Sequence, residues 1–200
     1  MTIKKRDTSK KRHQILDAAT VAFDEKGYES ATMDYIAEVS NSSKRTVYNH
    51  FPSKEALFQA MIERFIEELI EVKRISYTKD ISIKEQLLSF INNKLQMADN
   101  PKWLSVMKIS TAVFIANPNL AHQTMENISE LECIFFNWLK AAVEDNKLKI
   151  NNIEAAAAIF NSMVSGTFFW PTIIGTPLPE QMLDVMKHEI VDTFLEKYGV

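Results

Sequence analysis

The sequence predicts an all-α protein, and three observations carry that prediction. Glycine is scarce (four residues), and of the six prolines Pro52, Pro101, Pro118 and Pro171 sit where helices would start or stop. No run of alternating β-branched residues has the period of a strand. Apolar residues recur instead at helical spacing. A hydrophobic fraction of 46% supplies a real core and excludes a disordered chain.

Taken in order, a first helix is expected over Ser9 to Lys26, where Ile15, Ala19, Ala22 and Phe23 share one face and Gly27 supplies a left-handed stop. Thr32 caps a short second helix through Val39, with Ile36 and Ala37 inward. "SNSS", residues 40–43, is turn chemistry, and Asn41 tolerates a left-handed backbone. Ser43 caps a third short helix, Lys44 to His50. Phe51-Pro52 ends it, and Ser53 caps a long fourth helix reaching about Ile75. Five more helices are expected at roughly 83–98, 101–116, 119–146, 152–174 and 180–198, about nine in all. Asn100-Pro101 reads as a cap followed by proline at the first helical position. Asn117-Pro118 breaks the chain, and "GTPLP", residues 175–179, is a rigid linker.

Two short helices joined by a tight turn and braced by a longer one make a helix-turn-helix. Val47 and Phe51, at i and i+4, face the core, which leaves Lys44, Arg45, Thr46, Tyr48 and Asn49 largely outside. The expected division is a helix-turn-helix module over residues 1–53 and a helical body over residues 54–200.

Charge follows the same division. The chain carries −3 overall, but residues 1–12 hold Lys4, Lys5, Arg6, Lys10, Lys11 and Arg12 against Asp7 alone. A basic head on an acidic body suits a nucleic-acid-binding module joined to another domain; by charge alone, a solvated basic tail is the alternative. Cys133 is the only cysteine, and the N-terminus lacks the apolar core of a signal peptide. A reducing, cytoplasmic setting is therefore expected. Ala155 to Pro179 holds no charged residue, but Asn161, Ser162, Ser165, Thr167 and Pro171 argue for a helix buried in a bundle or subunit interface over a membrane span.

Residues 15–62, "ILDAATVAFDEKGYESATMDYIAEVSNSSKRTVYNHFPSKEALFQAMI", resemble the TetR family of bacterial transcriptional regulators, of the AcrR/AefR-like type. The Ile-Leu-x-Ala-Ala opening, Gly-Tyr, Tyr-x-His-Phe and Ser-Lys-Glu-x-Leu all stand in order at family spacing. Around "GTFFWPTIIG", residues 166–175, the chain more weakly resembles the AefR-like C-terminal type. The family's Ala-Gly-Val turn is replaced by Ser40-Asn41-Ser42; Ser42 then either loosens the turn or forms a local cap.

The resemblance implies that Tyr48 and His50 grip the sugar-phosphate backbone of double-stranded operator DNA. Thr32 and Lys54, at helix starts, are candidates for further phosphates. Ser43 caps the reading helix; Lys44 and Arg45 in its first turn are placed for guanine edges, and Thr46 and Asn49 for a thymine methyl or an adenine edge. The alternative for Lys44 and Arg45 is plain solvated charge. The basic arm, residues 4–12, is expected along phosphate or in the minor groove.

One headpiece reads few base pairs, so a homodimer on a near-palindrome is expected, acting as a repressor. The candidate seam is Ala155, Ala158, Ser162 and Gly166 on the eighth expected helix with Leu183, Met186, Ile190 and Phe194 on the ninth; an ordinary monomer core is the alternative. The resemblance further implies a small-molecule effector pocket in the body, between the fourth and eighth helices. Candidate lining residues for an apolar effector are Trp103, Met107, Phe114, Met125, Phe136, Phe160, Met163 and Phe168, although large apolar side chains at helical spacing are more often plain core. His122 is either a polar contact or a surface residue. Ligand is expected to favour a body conformation in which the fourth helix moves the headpieces off operator spacing.

An enzyme is disfavoured. His13, His50, His122 and His188 lack metal-ligand spacing, and no phosphate loop or nucleophile elbow appears. The pairs Asp24-Glu25 and Glu67-Glu68 point apart on a helix. No catalytic, metal or cofactor site is expected, nor a membrane partner. A helical dimeric protein-interaction module that never meets DNA is the alternative function.

Overall fold

The computed structural model describes the backbone of residues 4–72, 75–126 and 130–200, with side chains described at those positions except 4–8, 68–72 and 130–133. The helices are α1 (Lys4–Ser30), α2 (Met33–Val39), α3 (Lys44–His50), α4 (Lys54–Val72), α5 (Ile83–Ala98), α6 (Pro101–Ala116), α7 (Pro118–Glu126), α8 (Glu130–Glu144), α9 (Ile153–Val164), α10 (Trp170–Ile173) and α11 (Glu180–Tyr198). No strand occurs among the described residues; Leu148 and Gly199 make one isolated bridge. The all-α expectation therefore holds. The expected helix at 119–146 is described as α7 and α8, the residues between lying outside the described ones. The expected helix at 152–174 is interrupted by a π-helical turn, Ser165–Phe169.

The caps expected at Thr32, Ser43 and Asn100 are made, and Ser82, Asn117 and Asn152 add others. Thr32 Oγ1 accepts from Tyr35 N at 3.1 Å, and Ser43 Oγ from Thr46 N at 3.1 Å. Asn100, Asn117 and Asn152 cap α6, α7 and α9 through their side-chain oxygens. Ser82 and Glu85 form a capping box on α5, and the Ser82 hydroxyl, then its amide, hold the Glu85 carboxyl below the usual range.

The chain forms two compact units. The first comprises residues up to Leu69 together with Ser105–Ile128, so it extends well past the expected boundary at Ser53. Its core takes the predicted face of α1, with Ile15, Ala19 and Ala22 fully buried. Phe23, Tyr28 and Phe58 meet at 5.2–6.2 Å between ring centroids, and Phe114 of α6 stands edge-on to Phe58 at 5.9 Å. Arg64 ties α4 to α1, donating to His13 O at 3.1 Å and pairing with Asp17 at 2.7 Å.

The second unit comprises Ile70–Leu104 and Ser129–Val200. Phe135 stacks between Trp138 and Phe160, at centroid distances of 5.9 and 4.8 Å. Gln86, only 3% exposed, is a polar hub within that apolar core. Its Oε1 accepts from Trp138 Nε1 at 3.0 Å and Thr78 N at 3.1 Å, and its Nε2 donates to the carbonyls of Thr78 and Ile81. These bonds make its burial tolerable and fasten the loop before α5.

Gly27 breaks α1 where the sequence places its stop. Its φ of 73° and ψ of 156° lie in a region essentially reserved for glycine, while a Cβ there would meet nothing within 4 Å. Gly27→Ala is therefore expected to cost about 1–3 kcal/mol from backbone strain alone. Denaturant unfolding would measure it, and a neutral result would mean that α1 ends equally well without the break.

Candidate nucleic-acid interface

The helix-turn-helix is assembled by short-range bonds. Ser40 N and Asn41 N close the end of α2 onto Ile36 O and Glu38 O at 2.9 Å each. Asn41 adopts φ 46°, the left-handed position expected of it. Ser42 donates its hydroxyl to Ser40 O at 3.1 Å, which resolves its role as a local cap. Lys11 reaches from α1 to Asn41 O at 3.0 Å, so one cation of the expected basic arm fastens the turn. Arg12 lies over the Phe51 ring at 4.9 Å.

Val47 and Phe51 anchor α3, at 0% and 2% exposure. Their burial turns the other side of the helix to solvent. Lys44, Arg45, Tyr48 and Asn49 are exposed; Thr46 and His50 are half-buried. Lys44 with Tyr48, and Arg45 with Asn49, stand four residues apart and share that outer face. Lys44 pairs with Asp34 of α2 at 2.5 Å, an exposed ion pair. Such a pair is worth little in water and yields readily to a phosphate or base edge. Thr32 and Ser43 are exposed, each with its oxygen already capping its helix.

Lys54 is placed otherwise than the sequence suggests. Its ammonium donates to Tyr28 O at 2.8 Å and Glu29 O at 3.1 Å, and lies 4.5 Å from the Tyr28 ring centroid. It closes the end of α1. The amide end of α4 is served from within as well. Ser53 Oγ accepts from Ala56 N at 3.1 Å, and the Glu55 carboxyl is held below its usual range by its own backbone amide and by Ser53. Met1 to Ile3 lie outside the described residues. Lys4, Lys5 and Arg6 are described in backbone only, as helix.

Only part of the proposed seam remains open. Ala155, Ala158, Ser162 and Gly166 are all exposed, as is Ile159 at 40%. Ile190 and Phe194 are buried at 5% and 1% in their own unit's core, and Leu183 and Met186 pack against it. In the single chain this leaves Leu183 and Met186 half-buried, and the exposed apolar residues of α11 are Met182 and Val185, at 39% and 50%.

The second unit holds a cavity of about 240 Å³, lined by Lys94, Leu95, Met97 and Ala98 of α5, Trp103 of α6, Val164 of α9, and Ser165, Phe168 and Phe169 of the π-helical turn. Of the expected lining residues, Trp103 and Phe168 are there. Phe160 lies in the core at 1% exposure, Met163 packs against that core, Phe136 is half-buried away from the cavity, and Met125 is 53% exposed. Met107 and Phe114 belong to the first unit, and His122 is exposed beside Glu126 at 3.4 Å. Lys94 and Ser165 were missed. Their signal is faint: a second lysine late in a helix of mixed polar and apolar residues, and a serine where the helical repeat gains a residue.

Among the described residues no group of three or more His, Cys, Asp or Glu side chains is placed to hold a metal, and no helix is long and apolar enough to cross a membrane.

Residues 15–61 match the family described as bacterial regulatory proteins, tetR family, and residues 85–200 match the AefR-like transcriptional repressor C-terminal domain. A crystal structure of a TetR family transcriptional regulator from Pseudomonas syringae is 31% identical over all of both chains, with a TM-score of 0.77. The structure of the flavonoid-responsive regulator FrrA is 26% identical, over 96% of this chain and 98% of that one, with a TM-score of 0.79. Among curated relatives, the HTH-type transcriptional repressor Rv1474c of Mycobacterium tuberculosis is 24% identical over 70% of each chain. The regulator YhgD of Bacillus subtilis is 24% identical over 66% of each, so the chain spans about two thirds of the length of that relative.

Proposed function

The chain belongs to the TetR family of bacterial transcriptional regulators, with an AefR-like C-terminal domain, and on that premise we propose that it is a homodimeric repressor released from a near-palindromic operator by a small effector. Membership makes it a DNA-binding regulator rather than an enzyme, and removes the ground for a protein-interaction module that never meets DNA. Repression is supported by relatives that carry that description, among them Rv1474c and the negative regulator IcaR of Staphylococcus epidermidis.

The observation that carries the reading is the outer face of α3. Arg45 and Asn49 would read base edges; Lys44, Tyr48 and His50 would position the helix on sugar-phosphate; Thr32, Ser43 and Thr46 flank it. Lys54 would act through the end of α1 rather than on phosphate. Two such helices in a symmetric pair would read half-sites roughly 34 Å apart, or a multiple of that. The seam would be the exposed small-residue face of α9 with Ile159, Met182 and Val185.

Effector response is supported by the cavity and by the likeness to FrrA, itself described as flavonoid-responsive. Helix α6 offers a physical link. Its Trp103 lines the cavity, and its Ser105 donates to Asp24 of α1 at 2.6 Å. An effector that shifts Trp103 would strain that bond, two residues further along the same helix. Such coupling is typically about 1–3 kcal/mol, a 5- to 150-fold change in DNA affinity.

Operator fragments are best obtained by selection from genomic DNA, followed by gel-shift titration. Arg45→Ala is expected to cost about 1–3 kcal/mol of binding and to relax base preference at one position per half-site. The log-log salt slope of the parent should approach about −0.9 per phosphate contacted. An Arg45→Ala protein that binds every selected fragment as the parent does would remove α3 from the reading.

A further inference from the structure

We propose that the cavity of the second unit takes a small amphiphilic anion, its carboxylate held by the Lys94 ammonium and its apolar body among Trp103, Phe168 and Phe169. The inference rests on the reading of this cavity as the effector site and adds the effector's charge.

The lining is apolar except at Lys94 and Ser165, and Lys94 is its only charged residue. Lys94 Nζ donates to Asn161 Oδ1 at 2.8 Å, an amide that brings no counter-charge. None of the described ion pairs includes it. Lys94 is an exposed residue, and protein atoms around its ammonium remove part of its water, which holds it below the ordinary lysine range. A partly dehydrated cation with one neutral partner is stabilised by an arriving anion and penalised by an apolar group placed over it. Electrostatics therefore discriminate between ligands of the same shape.

Size narrows the class further. At about 240 Å³ the cavity is smaller than the roughly 300–1,000 Å³ that drug-sized ligands occupy. One or two fused rings, or a short branched chain, would fill it. Trp103 and Phe169 stand edge-to-face at 5.4 Å, a ready geometry for an aromatic body. Ser165 and Phe168 lie in the π-helical turn, a feature that recurs at functional sites because it re-aims side chains out of the helical repeat.

Calorimetric titration of the full chain with 2-naphthoate and with its neutral counterpart 2-naphthamide tests the proposal. Two variants accompany the parent: Lys94→Met, which keeps the apolar stem, and Ala98→Trp, which fills the cavity. The parent is expected to bind the acid about tenfold or more tighter than the amide, the scale of a hydrogen bond to a charged group. Lys94→Met should erase that preference without weakening the amide, and Ala98→Trp should abolish both. Equal binding of acid and amide to the parent, both blocked by Ala98→Trp, would overturn the anionic assignment while leaving the effector site standing. No binding of either probe to the parent, or binding of both to Ala98→Trp unchanged, would overturn the site and the assignment together.

Discussion

Ala158→Arg is expected to prevent the proposed pairing through α9, leaving a monomer, and to abolish operator binding at concentrations where the parent saturates. Ala158 sits mid-way along the exposed face of α9, flanked by Ala155, Ser162 and Gly166 and beside Ile159. In the single chain an arginine there meets only solvent, so folding should be unchanged within about 0.5 kcal/mol. In a pair formed through this face, each arginine would be driven into the seam, with close approach blocked and charge buried unpaired. Breaking burial of that kind costs about 3–5 kcal/mol, a dimer Kd weakened by two orders of magnitude or more. Operator affinity falls further, because each headpiece would then bind without the effective concentration its partner supplies, a factor of about 10²–10⁴. Sedimentation equilibrium and gel shift together read the result. A dimeric Ala158→Arg protein with parental operator affinity would move the seam elsewhere.

Trp138→Ala should produce the largest loss of stability. Trp138 is 2% exposed, lies against Tyr77, Phe90 and Phe135, and donates to Gln86 at 3.0 Å. Truncation leaves a large hole and takes one of two donors from a buried amide oxygen. A loss of about 3–5 kcal/mol follows from the cavity alone. For a chain of this size that is a fall of roughly 6–20 °C in Tm, at about 2–4 °C per kcal/mol. Trp138→Phe keeps most of the ring and should cost less, the remainder being set by Gln86. A change below about 1 kcal/mol in Trp138→Ala would mean the aromatic cluster collapses into the gap.

The headpiece was the most legible part of the chain because its instructions are local. Thr32, Ser43 and Ser53 each cap a helix through an amide three residues on, and Asn41 makes its left-handed turn within a four-residue span. Val47 and Phe51, one helical turn apart, are both buried, which left the polar face of α3 no place but outside. The cavity was legible only in part. Trp103 and Phe168 line it, while Phe160, chosen by the same criterion of a large apolar side chain at helical spacing, lies in solid core. Nothing in the sequence separates a ring that faces a void from one that faces another ring.

Sequence by itself determined the all-α class, the caps, the break at Gly27 and the helix-turn-helix with its solvent-facing polar residues. Hydrogen bonds spanning three or four residues and a repeat of 3.6 act wherever the segment is placed. Tertiary structure alone decided that Lys54 closes the end of α1, that Ile190 and Phe194 turn into their own core while the small residues of α9 stay open, and that a π-helical turn opens space beside Lys94. Those outcomes come from several helices competing to bury apolar surface against one another, and the winner depends on partners far away in the chain.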